Sequence, residues 1–317
     1  MFKRTRKAEG AAGWTAVDFG GTDTVGATVR PSPNGDGKPQ VLKCGIAPQE
    51  ELNGALAALA RKITVTGFPW TVPLRRGDYK IVVVPRPPVQ HHEIAESVKW
   101  SLGSVIDFAV EEATVDWMSI PTQEHMPEKP QQLYAIVARS KVVEERLAPF
   151  QRAKVPVGAV DIRENAQRNI AALVEKDGEG LGMISISDVG VQITFTWKGE
   201  LYLDRFIDET FESILNGDDE TRMRIFDRIT LQVQRSIDFM QRTMPFIPIG
   251  RIVIAPTPAP IAFADHLVTQ ITEPVEPLDL ASVFDFSATP ELMEEEAQAR
   301  YFMALGAALR FRETARA

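Results

Sequence analysis

Trp14-Thr-Ala-Val-Asp18-Phe-Gly20-Gly21-Thr22-Asp23-Thr24-Val-Gly-Ala-Thr-Val29 and, half a chain later, Met183-Ile-Ser-Ile-Ser-Asp188-Val-Gly190-Val-Gln192-Ile-Thr194-Phe-Thr196-Trp197 are built to one design. Each is a β-rich run, then Asp-x-Gly, then a second β-rich run. Asp and Gly tolerate the left-handed backbone of a tight turn, so each stretch predicts a hairpin. Such a turn gathers backbone N–H groups, which is one way to hold a phosphate. Carrying the device twice implies two lobes that close on a nucleotide from both sides.

Around the first hairpin the pattern predicts strands at Trp14–Phe19, Thr24–Arg30 and Gln40–Ile46, with a turn cluster from Pro31 to Gly37. Apolar residues at helical spacing (Leu52, Leu56, Leu59, Ile63) predict a helix over Glu50–Ile63. Tyr79–Pro85 is a continuous apolar run and reads as a strand buried on both faces. Past Pro85-Arg-Pro-Pro88 comes a smaller α/β piece, about 87–140: a helix over Glu93–Leu102, strands at Ala113–Ile120 and Gln132–Ala138, and a proline-bearing loop between them. Lys141–Arg152 reads as helix, Val155–Asp161 as strand and Arg163–Lys176 as helix. Asp177-Gly-Glu-Gly180 then joins a first lobe, 13–179, to a second, 180–317. The second lobe continues with a strand at Leu201–Ile207, a long helix over Thr221–Arg242, a strand at Arg251–Ala255, a short helix at Ala262–Thr269 and a closing helix over Glu291–Phe311. Ile225, Ile229, Val233 and Ile237 recur every four residues on the long helix and read as core.

The 317 residues suffice for two domains, and 44% hydrophobic with 25% charged residues is ordinary globular composition. One cysteine, Cys44, excludes a disulfide framework, and the four histidines have no zinc spacing. A net charge of −8 argues against nucleic acid as a partner. No stretch has the apolar length of a membrane span, and no apolar core follows the charged N-terminus as in a signal peptide. Residues 1–12 form a basic tail with Lys3, Arg4, Arg6 and Lys7 beside Phe2. It reads as solvated chain with a weak attraction to anionic lipid, about 1 kcal/mol per basic residue.

The paired Asp-x-Gly hairpins resemble those of the actin-like ATPase superfamily. Three further pieces resemble its pilus-biogenesis branch of MshI and PilM type: Val160-Asp161-Ile-Arg163-Glu-Asn-Ala-Gln-Arg168-Asn169, Leu231-Gln-Val-Gln-Arg235-Ser236-Ile237-Asp238-Phe239, and Ala304-Leu305-Gly306-Ala-Ala-Leu309-Arg310. The resemblance runs from about Gly13 to Arg310, with the MshI type of the MSHA pilus the nearer match. It implies an α/β, two-lobed, ribonuclease H-like fold with an α/β subdomain inserted in the first lobe. It also implies a cytoplasmic protein lying beneath the inner membrane, whose partner is the tail of a bitopic inner-membrane assembly protein of PilN or MshJ kind.

In that superfamily the first Asp orients the magnesium shell, while hydroxyls and a Lys meet phosphate oxygens. Asp18, Gly20, Gly21 and Thr22, with Asp188 and Gly190 of the second hairpin, are the matching candidates. Three departures point to a degenerate site. Thr24-Val-Gly stands where a Lys-bearing run is usual, and Asp23 adds a repelling charge. Val191 follows the second Asp-x-Gly in place of Gly, and Thr194 reads as a surface β residue. Ala255-Pro256-Thr257-Pro258-Ala259-Pro260 occupies the place of a Gly-rich adenosine turn, and its prolines remove backbone donors. The expectation is no cofactor, with weak ATP and magnesium binding as the most the site shows, and no enzyme activity. P-loop, Gly-x-Ser-x-Gly and His-Glu-x-x-His signatures are absent. Two functions fit the resemblance: a non-enzymatic scaffold, or an active PilM-type ATPase with Asp188 as the carboxylate base. For the scaffold, Trp100, Val115, Trp117 and Met118 of the insert, with Tyr134 nearby, are the candidate seat for the partner's tail.

Overall fold

A computed structural model describes residues 13–19, 23–32, 37–48, 52–122 and 125–310. Gly20, Gly21, Thr22 and the basic tail lie outside these. The first sheet starts with β1 (Trp14–Asp18), β2 (Asp23–Arg30) and β3 (Gln40–Pro48), followed by helix α1 (Leu52–Ile63) and β4 (Trp70–Pro73). The chain then passes through β5 (Tyr79–Pro85), α2 (Ile94–Ser101), β6 (Ala113–Ile120), β7 (Gln132–Arg139) and α3 (Ser140–Arg152) before β8 (Val157–Asp161) and α4 (Arg163–Val174). In the second half come β9 (Gly180–Ser187), β10 (Gly190–Trp197), β11 (Glu200–Ile207), α5 (Phe211–Asn216), α6 (Asp219–Thr243), β12 (Ile249–Ile254), α7 (Phe263–Val268), β13 (Val275–Pro277) and α8 (Glu295–Ala307).

The two main sheets are copies of one plan. Their orders are β3-β2-β1-β4-β8 and β11-β10-β9-β12-β13. In each, three antiparallel strands are extended by two parallel ones. This is the duplicated, two-lobed plan that the paired hairpins imply. β4 is a strand the sequence reading lacks. It is four residues long and bounded by Pro69 and Pro73, which mask a strand pattern. Trp70 and Val72 are nonetheless fully buried there, against Leu56, Leu59, Ile63 and Phe150 of α1 and α3. Each such buried side chain contributes about 1.5–3 kcal/mol. Two other short elements, α5 and β13, also escaped the pattern.

β5 differs from its expected place. It is an edge strand of a third, antiparallel sheet, order β5-β7-β6, and only Tyr79 on it is buried. The insert's sheet therefore begins before Pro85, with the run that reads as a doubly buried strand. One face of β7 (Leu133, Ala135, Val137) packs beneath Ile94, Val98 and Leu102 of the α2 region. The other face (Tyr134, Ile136, Ala138) joins the core of the second lobe. Tyr134 Oη donates to the Tyr202 carbonyl at 2.7 Å, and the His125 ring stacks on Phe246 with centroids 4.5 Å apart. The insert thus grows from the first lobe and rests on the second.

α4 and α8 cross. α4 follows the last strand of the first sheet yet packs on β9, β10 and β11; α8 follows the second sheet yet packs on β1 and β2. At the crossing a Cβ on Gly306 would stand 2.2 Å from the carbonyl oxygen of Ala166, so only glycine fits. Asn169 Nδ2 donates to the Gly306 carbonyl at 3.1 Å. Arg310, just past α8, reaches back to the Asp161 carboxylate at the end of β8. Two of the family-like pieces, around Asp161 and around Gly306, therefore meet at one joint.

Candidate functional site

Between the hairpins lies a cavity of about 210 Å³, bounded by Asp18, Asp23, Asp188, Arg163, Pro256 and Pro258 and closed by the N-terminal half of α8. The strand plan makes it. β1 and β9 run to their hairpins at the same end of the two sheets, and α4 starts there. Asp18 and Asp188 are thus brought to opposite sides of one cleft, while Gly20, Gly21 and Thr22 lie outside the described residues.

The second hairpin is a two-residue turn: Ser187 pairs with Gly190 across Asp188 and Val189. Gly190 has φ 142°, and a Cβ there would meet the Phe206 ring at 2.4 Å, so the position requires glycine. Ser187 Oγ donates to the Gly190 carbonyl at 3.2 Å and accepts from the Val189 N–H at 3.3 Å. Asp188 is exposed at the tip. Val191 points into the second-lobe core rather than toward the cleft, so it does not bar a phosphate directly. Thr194, expected at the surface, is fully buried and accepts from Gln167 Nε2 at 3.0 Å. Its strand lies beneath α4, which the alternation of β10 could not reveal.

At the first hairpin the Asp18 carboxylate is taken. Arg163, the first residue of α4, donates from Nη1 to Asp18 Oδ1 at 2.6 Å, and both side chains are nearly buried. Arg163 carries the strongest chemical statement in the cleft, and sequence reasoning gave it no role. Its partner lies 145 residues away, so no local spacing marks the pair. A second ion pair, Glu296 with Arg300 at 2.7 Å, lies on the α8 wall. Four acids (Asp18, Asp23, Asp188, Glu296) thus face two arginines around the cavity. A polyphosphate would meet an excess of like charge. Pro256 and Pro258 form part of the wall, and Thr257 between them is tied to the Ala259 carbonyl at 2.9 Å.

Behind the cleft lies a buried acidic joint that the sequence did not announce. Glu164 accepts from Tyr79 Oη at 2.5 Å and from Arg76 at 2.8 Å. Burial pushes its carboxyl above the usual range, against the Tyr79 hydrogen bond and Arg76. Asp204 on β11 is raised well above its usual value by burial and then by the charge of Glu164. It accepts from Gln192. Arg76 lies over the Phe206 ring at 4.1 Å. Among the described residues no cluster of three His, Cys, Asp or Glu is placed to hold a metal. Cys44 Sγ donates a hydrogen bond to Glu291 Oε1 at 3.0 Å, and burial pushes its thiol up to about 12, away from the reactive thiolate form.

The candidate partner residues do not form one patch. Val115 and Trp117 lie on the α2 side of β6, Trp117 half-buried with its ring 4.9 Å from that of His91. Met118 points to the opposite face and packs toward the second lobe. Trp100 stands on the outer side of α2, 58% exposed, its Nε1 donating to Glu96 at 2.9 Å. Tyr134 is buried. β6 is an outer strand of its sheet. No helix among the described residues is long and apolar enough to cross a membrane.

Neither a family model nor a curated protein matches the chain in sequence. Solved structures match its shape. The chain is similar to one of the PilM-PilN type IV pilus biogenesis complex, with TM-score 0.71 and 16% identity over 95% of this chain and 99% of that one. It is also similar to the cytoplasmic domain of EpsL, an inner membrane component of the type II secretion system of Vibrio cholerae, with TM-score 0.48 and 13% identity over 90% and 94% of the two chains. A ROK hexokinase from Thermus thermophilus matches with TM-score 0.45 and 14% identity over 96% and 99%. The fold is that of the actin-like ATPases.

Proposed function

We propose that this chain is a non-enzymatic scaffold of a type IV pilus assembly apparatus, MSHA-like, lying at the cytoplasmic face of the inner membrane. Its partner is the cytoplasmic tail of a bitopic protein of PilN or MshJ kind. The observation that carries the non-enzymatic half is the Asp18–Arg163 pair, which occupies the carboxylate that an actin-fold ATPase needs for its metal nucleotide. The acid excess and the proline wall of the cavity support the same reading. The partner half is supported by the end-to-end likeness to the chain of the PilM-PilN complex.

A tail can add a strand to the outer edge of β6, with Val115 and Trp117 as apolar anchors and the exposed Trp100, on the outer side of α2, as a separate contact. The competing reading, an active ATPase of PilM type, draws on the cavity between the two hairpins. Titration with Mg-ATP separates the two: the scaffold reading expects no binding tighter than high micromolar, and a low-micromolar Kd restores the ATPase. Capture of the bitopic partner's tail tests the scaffold itself. Trp117→Ala or Trp100→Ala, shown folded by circular dichroism, should weaken capture by about 2 kcal/mol, roughly thirtyfold. Unchanged capture by both variants moves the seat away from this strand and helix. Removing residues 1–7 should reduce sedimentation with anionic vesicles, less so at high salt. A wild-type chain that ignores such vesicles at low salt removes the membrane contact from the proposal.

A further inference from the structure

The fold family implies a hydrated divalent cation beside the first-hairpin aspartate. The residues present do not fit one. Asp18 already holds a cation at 2.6 Å, the guanidinium of Arg163, with the two side chains 13% and 6% exposed. Asp23 and Asp188 line the same cavity, but among the described residues no group of three His, Cys, Asp or Glu is placed to hold a metal. A divalent ion at Asp18 would face an arginine that cannot lose its charge.

Arg163 has little freedom to leave. It is the first residue of α4, its side chain is almost wholly buried, and its backbone N–H donates to Tyr79 Oη at 3.3 Å. Neighbouring Glu164 accepts from Tyr79 and Arg76; it feels the Arg163 charge, but the bond of that guanidinium goes to Asp18. A positive side chain at a helix N-terminus is also the wrong sign for the helix dipole. Something must offset that placement, and Asp18, delivered from the end of β1, does so. The other arginine on the cavity wall, Arg300, is bonded to Glu296 one turn away.

We infer that Arg163 is a built-in cation that takes the metal's place at the Asp18 carboxylate and keeps the charge of the interlobe cleft fixed. A hydrated metal exchanges with solvent and departs with its ligand, whereas a guanidinium anchored at the start of α4 stays. The two hairpins are then held in one electrostatic state whatever occupies the cleft, as suits a part that does not cycle. This rests on reading the cleft as one that no longer works on a metal nucleotide, and it does not depend on the partner.

The test uses the full chain and Mn²⁺ as the probe, read by the loss of the free-ion paramagnetic resonance signal and by the thermal midpoint with and without the ion. Wild type should take up no Mn²⁺ in the cleft, and its midpoint should not respond. Arg163→Gln should have a lower midpoint in chelator, gain at least tenfold in Mn²⁺ affinity at a single site, and recover part of the midpoint when the ion is added. Arg163→Lys, which keeps the charge, should behave as wild type. Adding Asp18→Asn to Arg163→Gln should abolish the gain. The inference is overturned if wild type binds Mn²⁺ at Asp18 as tightly as Arg163→Gln does. It is equally overturned if Arg163→Gln, folded or not in chelator, is unaffected by the ion. Failure of tail capture with these metal results intact removes the scaffold alone; tail capture with a metal-responsive wild type removes the built-in cation alone.

Discussion

α4 and α8 occupy equivalent places in the two halves, each following the last strand of its own sheet and crossing to the other, yet they are made of different material. The buried residues of α4 include Arg163, Glu164, Gln167, Arg168 and Asn169. Those of α8 are mostly apolar: Tyr301, Phe302, Met303, Ala304 and Leu305 among them. α4 clamps the second lobe by hydrogen bonds, with Gln167 Nε2 reaching the Met183 and Gln192 carbonyls at 3.0 and 3.3 Å while its Oε1 accepts from Ser185 at 2.6 Å. α8 covers the first lobe by burial against Ala16, Val25 and Ala27. The two halves share a backbone plan that many apolar contacts enforce. Their few polar contacts differ, and the cleft chemistry sits among those few.

The contrast breaks first at the crossing point. Gly306→Val puts a branched side chain into the Ala166 carbonyl of α4, which is backbone and cannot swing aside. It should cost about 4 kcal/mol or more, read as a urea-unfolding midpoint far below wild type or as loss of soluble protein. Near-native stability would mean that the helices are not held this close. Away from the crossing, each helix can be probed in its own currency. Leu305→Ala, fully buried on α8, should cost about 3 kcal/mol as a cavity. Gln167→Leu, fully buried on α4, fills its space but removes the hydrogen bonds to the Ser185 and Thr194 hydroxyls and to two carbonyls, and should cost about 2 kcal/mol. A Gln167→Leu chain as stable as wild type would show that the α4 seam works by packing, like that of α8.

The same contrast explains what the sequence could and could not tell. Hairpin strands, the long α6 and the repeated Asp-x-Gly turns are local, so alternation and spacing exposed them. Gly306 and Arg310 were visible as members of a family-like run, but their meaning depends on Ala166 and Asp161, more than a hundred residues away. β4 was hidden because its flanking prolines imitate a loop. Thr194 misled because its alternate position on β10 reads as solvent-facing until α4 is laid over that face. Arg163, Glu164 and Asp204 were invisible as a site, since each acquires its character from a partner on another element.

The smallest expected effect concerns the buried acids that only the second lobe's seam possesses. Glu164 and Asp204 both have carboxyls raised above the usual range, by burial first and, for Asp204, by the charge of Glu164. Arg76, Arg163, Arg205, Tyr79, Tyr134 and Gln192 act on this pair from its own and the surrounding elements. A raised folded value means that the native chain binds a proton the unfolded chain has already released. The stabilisation this brings is complete below the ordinary carboxylate range and is lost as pH climbs through the raised values. The unfolding free energy should therefore decline from mildly acidic to mildly alkaline pH. Asp204→Asn keeps the shape and an acceptor for Gln192 while removing the charge that repels Glu164. It should gain about 1 kcal/mol over wild type at pH 8, nothing at pH 4, and flatten the slope between them. Equal slopes in urea titrations of the two chains at those pH values would show that Asp204 does not carry the proton linkage, leaving Glu164 beside Arg76 as its only source in the joint.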